Sequence, residues 1–390
     1  MRVLFTMSPG YGHMLPLVST AWALRAAGHE VLLALAGRTE EEVPALVAAG
    51  LQVVQVASPE QIGAAFESLQ QDERYKGKDR AQMMAERRAQ AKAADPTDTF
   101  ANQLFGPISD AMVDNTVELA LSWRPDLVVH SPLQGVGPLV AAKLGVPTVE
   151  HAFGLASVKS GALALAEALA PAYRRHGVEG FPQRYELLNV APPSMRIGDP
   201  GWQVRHVPFH GGAVLPDWLL HKPERPRIVV TLGTVLPTWV GLGPLQWVAD
   251  VAAQVDAEFV LALGTADPAA LGELPANVRP IGWVPLSALL ATSAAAIHHG
   301  GSGSTMASLA AGVPQILVPQ GADQFFNSRA VAKRGVGLEI DTDIAPVTAE
   351  DVRRVLTDES IHSAVAQVKA EIAGMPSPAD VVARLEGLVG

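Results

Sequence analysis

His299, Ser304, Thr305, Asp323 and Gln324 are the residues of this chain whose types and spacing most suggest chemistry. They fall within residues 292–328, TSAAAIHHGGSGSTMASLAAGVPQILVPQGADQFFNS. A small-residue run ending at Ile297 reads as a strand. His298, His299, Gly300, Gly301, Ser302, Gly303 and Ser304 follow as a loop, and Thr305 to Ala311 as a helix closed by Gly312. Val313–Val318 reads as a buried strand leading to the turn that carries Asp323 and Gln324. Strand, glycine loop and helix in this order build an anion site. The glycines let backbone N–H groups approach a ligand, and the helix N-terminus adds partial positive charge. Diphosphate is the natural guest. His299, as a neutral ring or an imidazolium, can supply a further donor.

His13 is the second candidate. Arg2–Met7 reads as a strand, Ser8–Gly12 as a loop, and Leu15–Ala27 as a helix stopped at Gly28. An imidazole at the start of that helix can point out of the carboxyl edge of a sheet, where open α/β folds bind ligands. The helix end disfavours the imidazolium, so the ring is expected to be neutral at pH 7. A dinucleotide fingerprint is excluded. Gly10 and Gly12 are present, but Leu15 stands where the third glycine belongs, and no acidic residue closes the second strand. A base needs an orienting partner, usually a carboxylate. Asp110 and Asp114 lie four apart in a helical stretch, 108–122, and share one face.

These residues have to be carried by a scaffold. Glu30–Ala36 and Leu51–Ala57 read as further strands, Glu40–Ala49 as a helix, and Asp126–His130 as another strand. Alternation of this kind means parallel sheets with helices on both faces. Prolines, glycines and mixed charges cluster near 199–227 and mark a linker. The domains expected are 1–208, a linker at 209–226, a second domain at 227–372, and a final helical segment at 373–390. In the second domain, Arg227–Thr231 reads as a strand followed by Gly233 and Thr234, a further phosphate contact or a plain turn. Helix Leu245–Val255 and strand Glu258–Leu263 continue the alternation. Trp283, Val284 and Pro285 form a loop.

Composition bounds the function. The 390 residues are 48% hydrophobic and 17% charged, the profile of a packed globular protein of two domains. A net charge of −10 argues against nucleic acid and anionic membranes as partners. The absence of cysteine excludes disulfides, thiolate–metal sites and cysteine nucleophiles. MRVLFTMSPG reads as a first strand rather than a signal peptide, and no apolar run is long enough to span a bilayer. A cytoplasmic enzyme is expected, and a homodimer is allowed.

The spacing of His299, Ser304–Thr305 and Asp323–Gln324 resembles the donor signature of family 1 nucleotide-sugar glycosyltransferases, which have the two-domain GT-B fold. The HHGG form and GGAVLPDWL at 211–219 look most like actinomycete antibiotic glycosyltransferases, including those of enediyne pathways. The resemblance covers nearly the whole chain and is weakest at 58–108. It implies that His299, Gly301, Ser302, Gly303, Ser304 and Thr305, with Gly233 and Thr234, hold the diphosphate, and that Asp323 and Gln324 hold sugar hydroxyls. Trp283 is expected to stack on the nucleobase while the backbone at Val284 reads its edge. Gly12-His13-Met14-Leu15-Pro16 is similar to the motif holding this family's general base, and Asp114 best matches the aspartate paired with it, with Asp110 in reserve. Two departures stand out. Ala307 replaces a ribose-binding Glu of plant members, which favours a dTDP-sugar over a UDP-sugar. Leu286 replaces a Gln.

The implied activity is an inverting, metal-independent transfer of a (deoxy)sugar to a hydroxyl of an apolar natural product, with the dTDP-sugar as co-substrate and no cofactor. Met7, Tyr11, Phe66, Met83 and Phe153 are the expected acceptor contacts. Phe66, Met83, Met84, Phe100 and Phe105 read equally well as core. Two rivals are a sugar-nucleotide epimerase of the same fold and a non-catalytic sugar-nucleotide-binding homologue.

Overall fold

The computed structural model describes residues 1–70, 80–94, 100–234, 236–237 and 241–390, without the side chains at 69, 70, 80, 81, 84 and 100–104. The side chains of Met84 and Phe100 and the Asp95-Pro96 step therefore lie outside the described residues. Two compact units divide the chain. The first comprises Met1–Ala191, Arg196–His206 and Met375–Gly390; the second comprises Pro192–Met195 and Val207–Gly374.

Among the described residues, nine strands belong to the first unit: β1 (Arg2–Thr6), β2 (Glu30–Ala36), β3 (Val53–Ala57), β4 (Leu127–His130), β5 (Thr148–His151), β6 (Ala156–Ser157), β7 (Tyr185–Asn189), β8 (Ile197–Gly198) and β9 (Trp202–Gln203). Seven form a parallel sheet in the order β3-β2-β1-β4-β5-β7-β9, and β6 pairs with β8. Such a sheet is covered on both faces, so its inner strands are rich in apolar residues; Val3, Leu4 and Phe5 are fully buried. Thr6 is in register with Ala34 on β2 and with His130 on β4. The strand order reverses between β1 and β4, and open α/β sheets bind ligands at such a point. The loop carrying His13 leaves β1 there.

The first helical region starts earlier than its apolar periodicity suggests. Tyr11–Met14 is already helical, Leu15–Leu17 is a tighter turn at Pro16, and Val18–Ala26 completes the run. The 108–122 stretch is part of a longer helix, Phe100–Trp123, that continues through Pro107. Met375–Gly390 packs within the first unit. Arg205 N–H donates to the Pro376 carbonyl (2.7 Å), and Arg184 Nη1 to the Leu388 carbonyl (2.9 Å).

The second unit holds β10 (Arg227–Thr231), β11 (Glu258–Ala262), β12 (Val278–Ile281), β13 (Ala295–His298), β14 (Gln315–Leu317) and β15 (Gly337–Glu339). All run parallel, in the order β12-β11-β10-β13-β14-β15. The order reverses between β10 and β13, and Thr231 is in register with His298. The two glycine loops of the sequence thus leave adjacent strands at one point. Residues 209–226 are not a separate linker. They belong to the second unit, where helix Asp217–Leu220 buries Leu219 in a cluster with Val229 and Val260. Trp218 lies between the guanidinium groups of Arg227 and Arg279, each 4.8 Å from its ring centre. Among the described residues no helix is long and apolar enough to cross a membrane.

Candidate active site

Each unit carries its own set of functional side chains at the carboxyl edge of its sheet. In the second unit, β13 extends to His298, and the helix begins at Ser302, three residues before the expected Thr305. Both shifts have a physical cause. His298 Nδ1 accepts the Gly300 N–H (3.0 Å), which leaves Nε2–H to donate to Gln315 Oε1 (2.9 Å). The first histidine of the pair is therefore a buried brace that shapes the loop. Asp323 Oδ2 accepts from Ser302 N–H (3.2 Å) and Ser302 Oγ (2.7 Å), capping the first helical turn from outside. Among the described residues, the N–H groups of Gly303 and Ser304 remain as the unsatisfied donors of that turn. Thr305 Oγ1 is buried and has no hydrogen-bond partner among the described residues.

The ring of His299 is held between the two loops. A Cβ at Gly301 would overlap Nε2, and one at Gly233 would stand 2.6 Å from Cε1. Both positions are glycine because the ring occupies the space. Burial, with a smaller contribution from His298, pushes the His299 pKa down to about 3. The ring is therefore neutral at pH 7 in the unliganded protein. Its Nδ1 is buried and has no partner among the described residues.

Asp323 and Gln324 are only partly free for a sugar. Asp323 Oδ2 also accepts from Asn327 Nδ2 (3.0 Å), and Gln324 Oε1 accepts the N–H groups of Gln320 (2.8 Å) and Gly321 (3.2 Å). No side-chain hydrogen bond to Asp323 Oδ1 or Gln324 Nε2 is formed among the described residues. Burial raises the Asp323 carboxyl pKa, and the bonds from Ser302 and Asn327 oppose the rise. Asn327 was not anticipated. Its Nδ2 also reaches the Gly300 carbonyl (2.9 Å), so one amide ties the loop floor to the aspartate. It lies four residues after Asp323, and that helical spacing was the available signal.

Trp283 keeps 48% of its surface exposed, enough for a planar ring to stack on it. Gly211 approaches its indole edge; a Cβ there would lie 3.8 Å from Nε1. Val284 packs against the cluster of Val229, Val260 and Ala296. Ala307 is buried in the same cluster and offers nothing to a ribose hydroxyl. Thr234 is exposed beside Gly233, whose N–H is held by Thr231 Oγ1 (3.1 Å). Among the described residues, no three His, Asp or Glu side chains gather closely enough to hold a metal ion.

In the first unit, His13 lies edge-on to Phe105 (5.4 Å between ring centres) and Phe153 (5.0 Å). Burial, and then the charge of Arg38, push its pKa down to about 4. The ring is neutral as expected, chiefly because of desolvation. Nδ1 is buried without a partner among the described residues. Asp114 does not supply one. It is an exposed residue whose Oδ1 accepts from His176 Nε2 (2.6 Å) and Arg175 Nε (3.0 Å). Asp110 is bound by Arg175 Nη2 (3.0 Å). The two aspartates do share a helix face, but that face meets Arg175 and His176 rather than His13. Among the expected acceptor contacts, Phe153 lies against His13 and Tyr11 occupies the same short helix. Phe66 packs on the hydrophobic core, and Met83 is half-buried on helix Arg80–Ala93. Met7 is 1% exposed and belongs to the core, with no surface open to a ligand.

Residues 22–233 match the N-terminal domain of the erythromycin biosynthesis protein CIII-like family, and residues 246–388 its C-terminal domain. The elloramycin glycosyltransferase ElmGT of Streptomyces olivaceus is 39% identical over 395 residues, covering 100% of this chain and 98% of that protein. The chain belongs to this glycosyltransferase family. The glycosyltransferase SnogD from Streptomyces nogalater matches with a TM-score of 0.81 at 39% identity, over 100% of this chain and 99% of that one. SsfS6 from Streptomyces sp. SF2575, complexed with thymidine diphosphate, matches with a TM-score of 0.79 at 30% identity, over 99% of each chain. The two parallel-sheet units of this glycosyltransferase are those of the GT-B fold.

Proposed function

We propose that this glycosyltransferase moves a deoxysugar from dTDP to a hydroxyl of an apolar natural-product acceptor, with inversion, without a metal, in the cytoplasm. The observation that carries the reading is His299 set between Gly233 and Gly301 at the strand reversal, beside a helix N-terminus capped by Asp323. Backbone donors, the helix dipole and a neutral ring meet the charge of a departing diphosphate. Asp323 Oδ1 and Gln324 Nε2 orient the sugar, and Trp283 stacks on the base. The thymidine diphosphate bound by the related SsfS6 supports the dTDP assignment.

His13 removes the acceptor proton through Nε2 as the acceptor oxygen attacks the anomeric carbon. The bond from that carbon to the diphosphate oxygen breaks in the same displacement. A general base of this kind contributes about 10²–10⁴ in rate, and positioning with leaving-group stabilisation supplies much of the rest. Calorimetric titration with dTDP and UDP, with and without Mg²⁺, tests the donor half. Tighter, Mg²⁺-independent binding of dTDP is the expected result. Equal affinity for UDP removes the dTDP preference, and no binding of either removes the donor site.

A further inference from the structure

The first unit contains a charged pair that the transfer mechanism leaves unused. β1 and β2 are neighbours in register, so the loop after β2 runs beside the loop that carries His13. Arg38 leaves β2 in that loop. Its backbone N–H donates to Glu42 Oε2 (2.8 Å), while Nε (3.4 Å) and Nη2 (3.2 Å) reach Glu42 Oε1. Glu42 is 2% exposed and Arg38 about a quarter exposed. The guanidinium lies against Gly10, where a Cβ would stand 3.6 Å from Nε. Gly10 also has φ 116°, a conformation open to glycine, and its carbonyl accepts the His13 N–H (3.0 Å). Arg38 is thus fixed alongside the turn that presents the base. Nη1 makes no hydrogen bond to the described residues.

A largely desolvated ion pair contributes little to stability compared with apolar packing, so stability alone does not account for it. A guanidinium held on one edge by Glu42 and about a quarter exposed, beside the turn at the ligand-binding end of a sheet, is suited to meet an oxyanion. We infer that Arg38 selects acceptors whose reacting hydroxyl is acidic, a phenol or an enolised carbonyl, by stabilising the negative charge that grows on its oxygen. This rests on the acceptor-side reading of His13 given above. The weak basicity of His13 agrees with it. A base pushed down to about 4 is poorly matched to an aliphatic hydroxyl, about as weakly acidic as water at ~16. It is closer to a phenol at about 10. The proton goes to His13 Nε2, the oxygen–anomeric carbon bond forms, and the bond to diphosphate breaks.

The test uses the full chain saturated with dTDP and 7-hydroxycoumarin as a phenolic probe whose neutral and ionised forms absorb differently. Its ionisation midpoint on the protein is expected to fall about 1–3 units below the free value, a tenfold or larger shift toward phenolate. Arg38→Gln and the pair Arg38→Gln/Glu42→Gln should abolish the shift, the second without leaving a lone buried carboxylate. Arg38→Lys, which keeps the ion pair, should retain part of it. A bound probe that ionises at or above its free midpoint, a shift that survives both Gln variants, or failure of the probe to bind overturns the assignment. Calorimetric dTDP affinity, read on the same samples, reports separately on the donor site.

Discussion

Gly301→Ala places one methyl group against the ring of His299, which the proposed function assigns to the diphosphate. Gly301 has φ −61° and ψ 146°, angles that alanine adopts freely, so the backbone carries no new strain. The cost falls on His299, because the new Cβ would overlap Nε2. Relief to an ordinary contact requires the ring to move by about 1 Å. Its room to move is limited, because Gly233 also lies so close to the ring that a Cβ there would be 2.6 Å from Cε1. A displacement of that size typically costs about 10²-fold in rate. Losing one hydrogen bond to a charged group costs about 1.5–3 kcal/mol, or roughly 10–150-fold in dTDP affinity. Stability should fall much less. Alanine is a poorer N-cap than glycine by about 1 kcal/mol, which lowers Tm by about 2–4 °C. Calorimetry with dTDP, paired with a thermal melt, checks both numbers. An affinity within twofold of wild type would refute the argument that His299 serves the diphosphate from between these loops. A collapse of the melt would show that the ring is structural instead.

His13→Ala should lower turnover by about 10²–10⁴ while dTDP affinity stays within a few-fold; full turnover in the variant removes His13 as the base. Asp114→Asn should leave turnover within about threefold, since its partners are Arg175 and His176; a loss near that of His13→Ala would restore the dyad expected from the sequence. The rate constant kcat/KM should stay flat as pH falls from 8 to 5 and decline only toward 4, because the active form is the neutral ring; a decline centred near 6.5 would contradict the burial of His13. Folding stability should drop between about pH 6.5 and 4. His13, His130, His151, His210 and His298 are pushed down to about 4 and His299 to about 3, so the unfolded chain binds protons that the native state refuses. Their contribution is complete above the unfolded value near 6.5 and lost as pH falls toward 4. Buried Glu150 and Asp323, raised in pKa, act in the opposite sense but are only two. Urea titrations at pH 8, 6.5 and 5 read the sum, and equal stability at all three would refute it.

The parallel sheets were legible because strand runs such as Arg227–Thr231 have a continuous apolar centre, Ile228-Val229-Val230, and lead into glycine loops. That the glycine loop and the Asp323 turn would meet was legible because both lie in one stretch of chain, and Ser302 does bond Asp323. The start of the helix at Ser302 was not, because its cap, Asp323, lies 21 residues away. The same limit explains Asp114. Helical spacing correctly put it on a face with Asp110, but nothing local says that Arg175 and His176 stand opposite that face. Met7 failed for a related reason: proximity to the loop in sequence does not distinguish a wall residue from one turned into the core. Arg38–Glu42 and Asp323–Asn327 were detectable in principle, each being a complementary pair four residues apart.

Asp323 divides its two oxygens between different tasks, and this constrains how the enzyme can diversify. Oδ2 holds the first turn of the helix that begins at Ser302, while in the proposed function Oδ1 is the atom offered to the sugar. On that proposal, a substitution that changes sugar choice at this position also loosens the frame behind the leaving group. Sugar preference and chemical competence are therefore inherited together. On the same proposal, the acceptor side, where Phe153 lies against His13, can be altered without touching that frame. Attempts to re-engineer the donor should keep Asp323 and vary the residues around Gln324 Nε2 instead.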